Sequence, residues 1–234
     1  METHSVRLLM RENQLEFKQK LDLHNHTKYS DGELSAAELI VKKVEQGIHV
    51  IGITDHFEDI DNLEEYFSGI HHLAQQYKSS AKVIPGIELE LDRQHVVIYG
   101  EEFIKKYCRT GQPDFSRVSA DYPFCLVIAH PIMSDLSDDL LKAAHGIEIT
   151  FSGCLHPEYS TIDMISDQYH LFKIASSDTH RAGNAFGTCT EICGVNILSE
   201  EHVIRLFSDK KFCKKVTDVR YHVSDIRYRY SDGM

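Results

Sequence analysis

Residues 21–56 read LDLHNHTKYSDGELSAAELIVKKVEQGIHVIGITDH, and the spacing of apolar residues changes twice along them. Leu21 to His26 alternates as a strand does. Ser35 to Gln46 places Ala36, Leu39, Ile40 and Val44 at helical spacing and is followed by Gly47, suited to a helix C-terminal cap. Val50 to Thr54 returns to a short β-branched run. Strand, helix and strand in succession predict a mainly parallel α/β fold.

Outward from this unit the same alternation continues. A helix is expected over Leu63 to Tyr77, then strands over Val83 to Leu91 and His95 to Tyr99 with a hairpin-like turn between them. Phe124 to Ala129, Gly146 to Thr150 and Leu171 to Ser176 read as buried strands, and Glu191 to Ile197 as a last one. Helices over Ser137 to Ala144, Pro157 to Gln168 and Ser199 to Phe207 fit between or after them. No repeat, low-complexity tract or Pro/Gly/Ser-rich linker interrupts the chain, so one domain over residues 1–234 is expected. Its length is close to the roughly 250 residues of a β/α barrel. Periodicity alone does not separate such a barrel from an open doubly wound sheet. The sequence holds no G-x-G-x-x-G or Walker-type loop to favour nucleotide binding.

Composition narrows the function classes. With 42% hydrophobic and 26% charged residues the chain has the balance of a soluble globular domain. Its first twenty residues mix Glu2, Arg7, Arg11, Glu12, Glu16, Lys18 and Lys20 among short apolar runs. Neither a secretory leader nor a membrane span is expected there, and the chain reads as cytoplasmic. The six cysteines form no C-x-x-C pair, which favours reduced thiols over a disulfide framework; Cys189 and Cys193 could share a metal in principle. A net charge of −11 argues against broad nucleic-acid binding. Residues 205–229 depart from that average, with eight basic residues against three acidic ones. Such a segment can hold a polyanion, although a solvated helix face pairing with acidic neighbours is the simpler reading.

The chemistry is carried by histidines and carboxylates at strand ends. His24 and His26 project from one face of the first strand and form a pincer for a metal ion. Alone that pattern is weak. Asp55 and His56, however, end the Val50 to Thr54 strand, and His130 ends the Phe124 to Ala129 strand. Glu88 lies in Pro85-Gly86-Ile87-Glu88, Asp178-Thr179-His180 follows Leu171 to Ser176, and His95 opens or lines a strand. In a barrel such ends converge on one mouth. Clustered His, Asp and Glu without cysteine suit Zn²⁺, Mn²⁺ or Fe²⁺ better than Ca²⁺.

Four stretches together resemble the PHP (polymerase and histidinol phosphatase) domain family. They are HNHTKYSDG at 24–32, GITDH at 52–56, Pro85-Gly86-Ile87-Glu88 with His95 and Ala129-His130-Pro131, and Ser177-Asp178-Thr179-His180. The resemblance runs from Leu21 to about Gly187 and implies a distorted, TIM-barrel-like (β/α)7 barrel binding two to three divalent metal ions. Position by position it implies that His24, His26, Glu88 and Asp178 hold one metal. Glu88 would bridge to a second held by His95 and His130, and Asp31, His56 and His180 would hold a third. Only 34 residues separate His95 from His130, which leaves little room for the inserted specificity elements of some relatives. The expected activity is hydrolysis of a phosphomonoester or phosphodiester, with a metal-bound hydroxide attacking phosphorus. Expected substrates are a small phosphorylated metabolite or a nucleotide, with nucleic-acid ends a further option.

Each residue also has a plainer reading. Asp31 suits the turn Ser30-Asp31-Gly32, and His95 could simply face solvent from its strand. Lys28 and Arg181 adjoin the motifs and could contact a phosphate oxygen or only water. Asp55 would point away from His56 and is expected to support an imidazole. His156 is the one further histidine within reach of the mouth as a proton donor. Two other functions compete. An amidohydrolase type also opens with H-x-H but calls for a bridging lysine where Glu88 stands here, and a non-catalytic metal-binding module would use the metals only to hold the fold.

Overall fold

In the computed structural model, which describes residues 18–91, 93–108, 122–183 and 187–223, strand β1 (Lys18–Asp22) leads to helix α1 (Ala36–Glu45). A capping box starts that helix: Ser35 Oγ accepts from the Glu38 N–H, and the Glu38 carboxylate accepts from the Ser35 N–H at 2.8 Å. Strand β2 (Val50–Ile53), helix α2 (Leu63–Gln76) and strand β3 (Lys82–Pro85) follow, and β1, β2 and β3 pair in parallel. The next stretch holds β4 (Ile87–Leu91), β5 (Gln94–Tyr99), α3 (Glu101–Tyr107), β6 (Cys125–Ile128), α4 (Asp138–Ala143) and β7 (Gly146–Glu148). A ribbon of β8 (Thr150–Phe151) and β9 (Cys154–Leu155), helix α5 (Tyr159–Tyr169) and strand β10 (Phe172–Ile174) come after it. The described residues close with β11 (Cys189–Cys193), α6 (Glu200–Ser208), α7 (Lys210–Cys213) and β12 (Asp218–His222).

The strands do not close the seven-stranded barrel expected from the sequence. They form two open five-stranded sheets, ordered β12-β11-β1-β2-β3 and β10-β7-β6-β5-β4, beside the β8-β9 ribbon. Two seams separate the sheets, and each has an identifiable cause. At the first, the run expected as one strand over Val83 to Leu91 breaks at Gly86. Pro85 has no N–H to give, β3 pairs with β2, and β4 turns to pair antiparallel with β5. A Cβ at Gly86 would lie 2.8 Å from the Ile98 carbonyl and 2.9 Å from the Tyr99 ring, so only glycine fits. At the second seam, side-chain oxygens take the N–H groups that a ladder would use. Ala175 donates to Thr190 Oγ1 at 2.8 Å, Ser176 to Thr150 Oγ1 at 3.3 Å and Ser177 to Asp22 Oδ1 at 3.0 Å. Single bridges remain, His56 with Glu88 at one seam and Asn25 with Thr179 at the other.

Alternation along the strands builds two cores. Ile51, Ile53, Val96, Ile98, Leu126 and Ile128 face the helices and pack with Leu39, Ile40, Phe67, Ile70, Phe103 and Ile104. Leu21, Leu23, Val50, Val97, Tyr99, Val127 and Ile174 face the opposite way into a second core, which Val203, Leu206 and Phe207 of α6 close. Tyr99 ties the two sheets together, its hydroxyl donating to the Leu23 carbonyl at 2.6 Å.

The strands also differ from expectation in extent. β1 stops at Asp22, so His24 and His26 lie beyond the ladder. β11 ends before Gly194, whose φ is 88°, rather than running on to Ile197. β12 is an edge strand that the sequence reading did not contain. In the basic C-terminal segment, residues 224–229 lie outside the described residues. Within the remainder Arg205 pairs with Asp209 at 3.3 Å and Arg220 with Asp218 at 2.8 Å, as a solvated surface does. No helix among the described residues is long and apolar enough to cross a membrane.

Candidate metal centre

Both seams deliver the same residue types to one place. Asn25 pins the chain after β1: its Nδ2 donates to the carbonyls of Asp22 at 3.2 Å and Gly52 at 3.0 Å, and its carbonyl accepts from the Thr54 N–H at 2.9 Å. With Asn25 turned inward to those partners, the flanking His24 and His26 meet on one side, their Nε2 atoms 3.1 Å apart. His56 follows β2, Glu88 sits in β4, His95 in β5, and His130 follows β6. Asp178 and His180 follow β10. His130 and Asp178 adopt positive φ, 23° and 51°, a strained backbone for residues with a Cβ.

Glu88, only 1% exposed, stands at the middle. Its Oε1 lies 3.2 Å from His24 Nε2 and 3.1 Å from both His95 Nδ1 and His130 Nε2. Its Oε2 lies 3.3 Å from His26 Nε2 and 3.1 Å from His56 Nδ1. Asp178 Oδ1 reaches His24 at 3.6 Å, His26 at 3.5 Å and His180 Nδ1 at 3.3 Å. Asp31, half exposed at the rim, meets His180 at 3.4 Å and both His26 and His56 at 3.7 Å. All nine residues therefore come together, in four overlapping groups whose donor atoms lie within 4.8 Å of one another. These are His26, Asp31, His56 and His180; His24, His26 and Asp178; His24, Glu88 and His130; and His56, Glu88 and His95.

The donor set fits divalent cations. His26 Nδ1, Glu88 Oε2 and Asp178 Oδ1 are buried and make no hydrogen bond, a costly state for polar atoms unless something else satisfies them. Two imidazole nitrogens 3.1 Å apart likewise turn lone pairs on one another unless a proton or a cation lies between them. Without a metal, protons take that role. Burial works against charge on His24, yet Glu148, Glu88 and Asp178 outweigh it and hold its pKa well above the ordinary value. His26 is opposed by burial and raised by Asp178 and Glu88 to about 9. Burial opposes ionisation of Glu88 as well, but His24 and His130 hold its pKa well below the usual carboxylate range. His56 goes the other way, lowered by burial and by His26.

Glu148 belongs to this centre although the sequence reading passed over it. It is 2% exposed, accepts from His24 Nδ1 at 3.1 Å and from the His130 N–H at 2.9 Å, and so aims His24 Nε2 at Glu88. A lone acidic residue within the apolar run Gly146 to Thr150 was the available signal. Asp55 does not support an imidazole. Its buried carboxylate accepts from the Thr27 N–H at 2.6 Å and Ser30 Oγ at 2.8 Å, which shapes the loop carrying Asp31. His156 is not a proton donor at the mouth: Nδ1 accepts from the Glu158 N–H at 3.0 Å, the ring bonds the Pro131 backbone, and burial lowers its pKa. Lys28 is exposed in a cleft of ≈ 260 Å³ shared with Asp59, Asp61 and Glu65, and Arg181 is exposed beside His180. No candidate metal group among the described residues contains a cysteine, and burial pushes the Cys189 thiol up to about 12.

An uncharacterized protein of Methanocaldococcus jannaschii is 25% identical over 181 residues, which is 69% of this chain and 81% of that protein. A two-domain protein of Bacteroides vulgatus, described as containing a predicted PHP-like metal-dependent phosphoesterase, superposes with a TM-score of 0.64 at 18% identity. That match covers 88% of this chain but only 66% of the other, so this chain spans less than two thirds of that relative. PsfC from Pseudomonas syringae superposes with a TM-score of 0.62 at 16% identity, over 88% of this chain and 92% of that one. The two superpositions are likenesses of fold. The family model described as PHP domain matches residues 22–180, the span that contains every one of the nine clustered residues, and this chain belongs to the PHP domain family.

Proposed function

We propose that this protein is a metal-dependent phosphoesterase acting on a small phosphorylated metabolite or a nucleotide. Glu88 is the observation that carries the reading: one buried carboxylate whose two oxygens are shared among five imidazoles. A carboxylate in that bridging place, rather than a lysine, separates the centre from the amidohydrolase type. Following the family pattern, His24, His26, Glu88 and Asp178 hold one cation, Glu88, His95 and His130 a second, and Asp31, His56 and His180 a third. Divalent cations supply charge that neutralises a phosphate and lowers the pKa of a coordinated water.

The chain's own residues do the positioning. Glu148 fixes the ring of His24, and Asp55 holds the loop that presents Asp31. His56, with its lowered pKa, is neutral near pH 7 and free to act as a ligand. Lys28 and Arg181, exposed next to the motifs, are the cations available to a phosphate oxygen. Phe151 and Ile132 are exposed beside His130, with the Phe151 ring 5.9 Å from that imidazole. They offer an apolar surface for the organic part of a small substrate. The phosphoesterase named in the Bacteroides vulgatus relative points the same way.

The test is an activity screen of metal-stripped protein re-loaded separately with Mn²⁺, Zn²⁺, Fe²⁺ or Mg²⁺, against mono-aryl and bis-aryl phosphates. Turnover of either ester that His26→Ala and Asp178→Ala both abolish supports the reading. Silence with every metal bound would contradict it and favour a non-catalytic module.

A further inference from the structure

We propose that Lys43 is a positioning residue for the loop carrying Asp178 and His180, acting from a helix that contributes no ligand. On α1 its position continues the buried stripe of Ala36, Leu39 and Ile40, where packing alone would place an apolar side chain. It is fully buried, and an ammonium there is tolerated only when paired and hydrogen-bonded. Its three donors are all used: Nζ lies 2.5 Å from Asp22 Oδ2, 2.8 Å from Ser177 Oγ and 3.0 Å from Thr179 Oγ1.

The partners explain the placement. Ser177 and Thr179 flank Asp178, the residue held at φ 51°. A strained conformation persists only where its surroundings over-determine it, and one ammonium grips both neighbours. Asp22 adds a further hold by accepting from the Ser177 N–H at 3.0 Å, while Ser177 Oγ reaches Asn25 Oδ1 at 3.1 Å. On the backbone, Asp178 donates to the His24 carbonyl at 3.1 Å and His26 to the Thr179 carbonyl at 3.0 Å. Lys43 thus sits where the seam between the sheets lacks a ladder and stands in for it. Packing does not call for this arrangement, since an apolar pair of similar volume often stabilises a core as well or better. What the ion pair adds is direction: three hydrogen bonds that hold two candidate ligands at a common centre.

This inference rests on Asp178 and His180 being cation ligands. It is tested by titrating Mn²⁺ or Zn²⁺ calorimetrically into the metal-stripped full chain, with melting temperature measured in parallel. The variants are Asp178→Asn as reference, the charge-free double variant Lys43→Met/Asp22→Asn, and Thr179→Val, which keeps volume but loses the hydroxyl's bonds to Lys43 Nζ and Ser177 Oγ. Loss of a partner behind a metal ligand typically costs about 10- to 100-fold in affinity. The double variant is expected to weaken by that much the binding step that Asp178→Asn removes, and Thr179→Val to weaken it less. Turnover should return at saturating metal. Wild-type affinity in both, with only the melting temperature lowered, would overturn the proposal and leave Lys43 a purely structural residue. Unchanged binding in Asp178→Asn would instead overturn the ligand assignment, and the proposal with it.

Discussion

His24 Nδ1 donates to the carboxylate of Glu148 at 3.1 Å, which leaves Nε2 of the same ring facing Glu88 at 3.2 Å. The bond selects which nitrogen meets the centre and holds the ring plane. Because Glu148 also accepts from the His130 N–H, one carboxylate sets two candidate ligands. Glu148→Gln should lower Zn²⁺ affinity by about tenfold or more while the protein stays folded. Titration against a competing chelator, with circular dichroism as the control for folding, checks this; unchanged affinity would assign Glu148 a packing role alone.

The close approach of Tyr99 to the first sheet gives a stability prediction. A Cβ at Gly52 would fall 2.0 Å from the Tyr99 hydroxyl and 2.9 Å from the Leu23 backbone. Gly52→Ala should therefore cost at least about 1–3 kcal/mol, the usual range for overpacking. Tyr99→Phe gives up the bond to Leu23 but removes the atom that is hit, so the double variant should be less destabilised than the two single losses added together. Urea denaturation of the four proteins measures the coupling, and strict additivity would contradict this packing.

The pH dependence of the metal-free protein follows from the centre's charges. His26 is held at about 9 against an ordinary 6.5, so the folded chain binds that proton more tightly than the unfolded one. Its contribution is complete below about pH 6.5 and lost as pH rises through 9. Glu88 behaves oppositely: its depressed pKa stabilises the fold above about 4.5 and ceases to do so as pH falls below that. The metal-free melting temperature should thus fall between pH 6.5 and 9. Cations compete with those protons, so the gain on adding Zn²⁺ should grow over the same range. Thermal shifts at half-unit intervals check both slopes; a gain that shrinks with pH would be inconsistent with cation binding at these histidines.

How much was legible in the sequence differs between site and fold. The clustering residues end or follow apolar runs, and strand ends are marked locally, so His24, His26, His56, Glu88, His130 and Asp178 could be picked out from a single sequence. Closure of the sheet could not. Val83 to Leu91 reads VIPGIELEL, and although Pro85-Gly86 can interrupt a strand, nothing in its periodicity says that the chain changes sheets there; the close approach that admits only glycine comes from Ile98 and Tyr99 of another strand. Side-chain capture of the Ala175, Ser176 and Ser177 N–H groups has the same character, because Thr190, Thr150 and Asp22 come from three other elements. Glu148 and Lys43 were hidden for a related reason. A charged residue in an apolar strand or stripe shows its purpose only through partners brought from elsewhere.

The most direct test of the account is Glu88→Gln, assayed for bound metal by elemental analysis and for turnover of aryl phosphates. The substitution keeps shape and removes the charge that five histidines share. The wild-type chain should retain two to three equivalents of divalent cation and turn over. The variant should lose at least one equivalent and slow by about a hundredfold or more, since metal-borne charge stabilisation is worth several kcal/mol. A Glu88→Gln protein with full metal content and wild-type turnover would contradict the account at its centre.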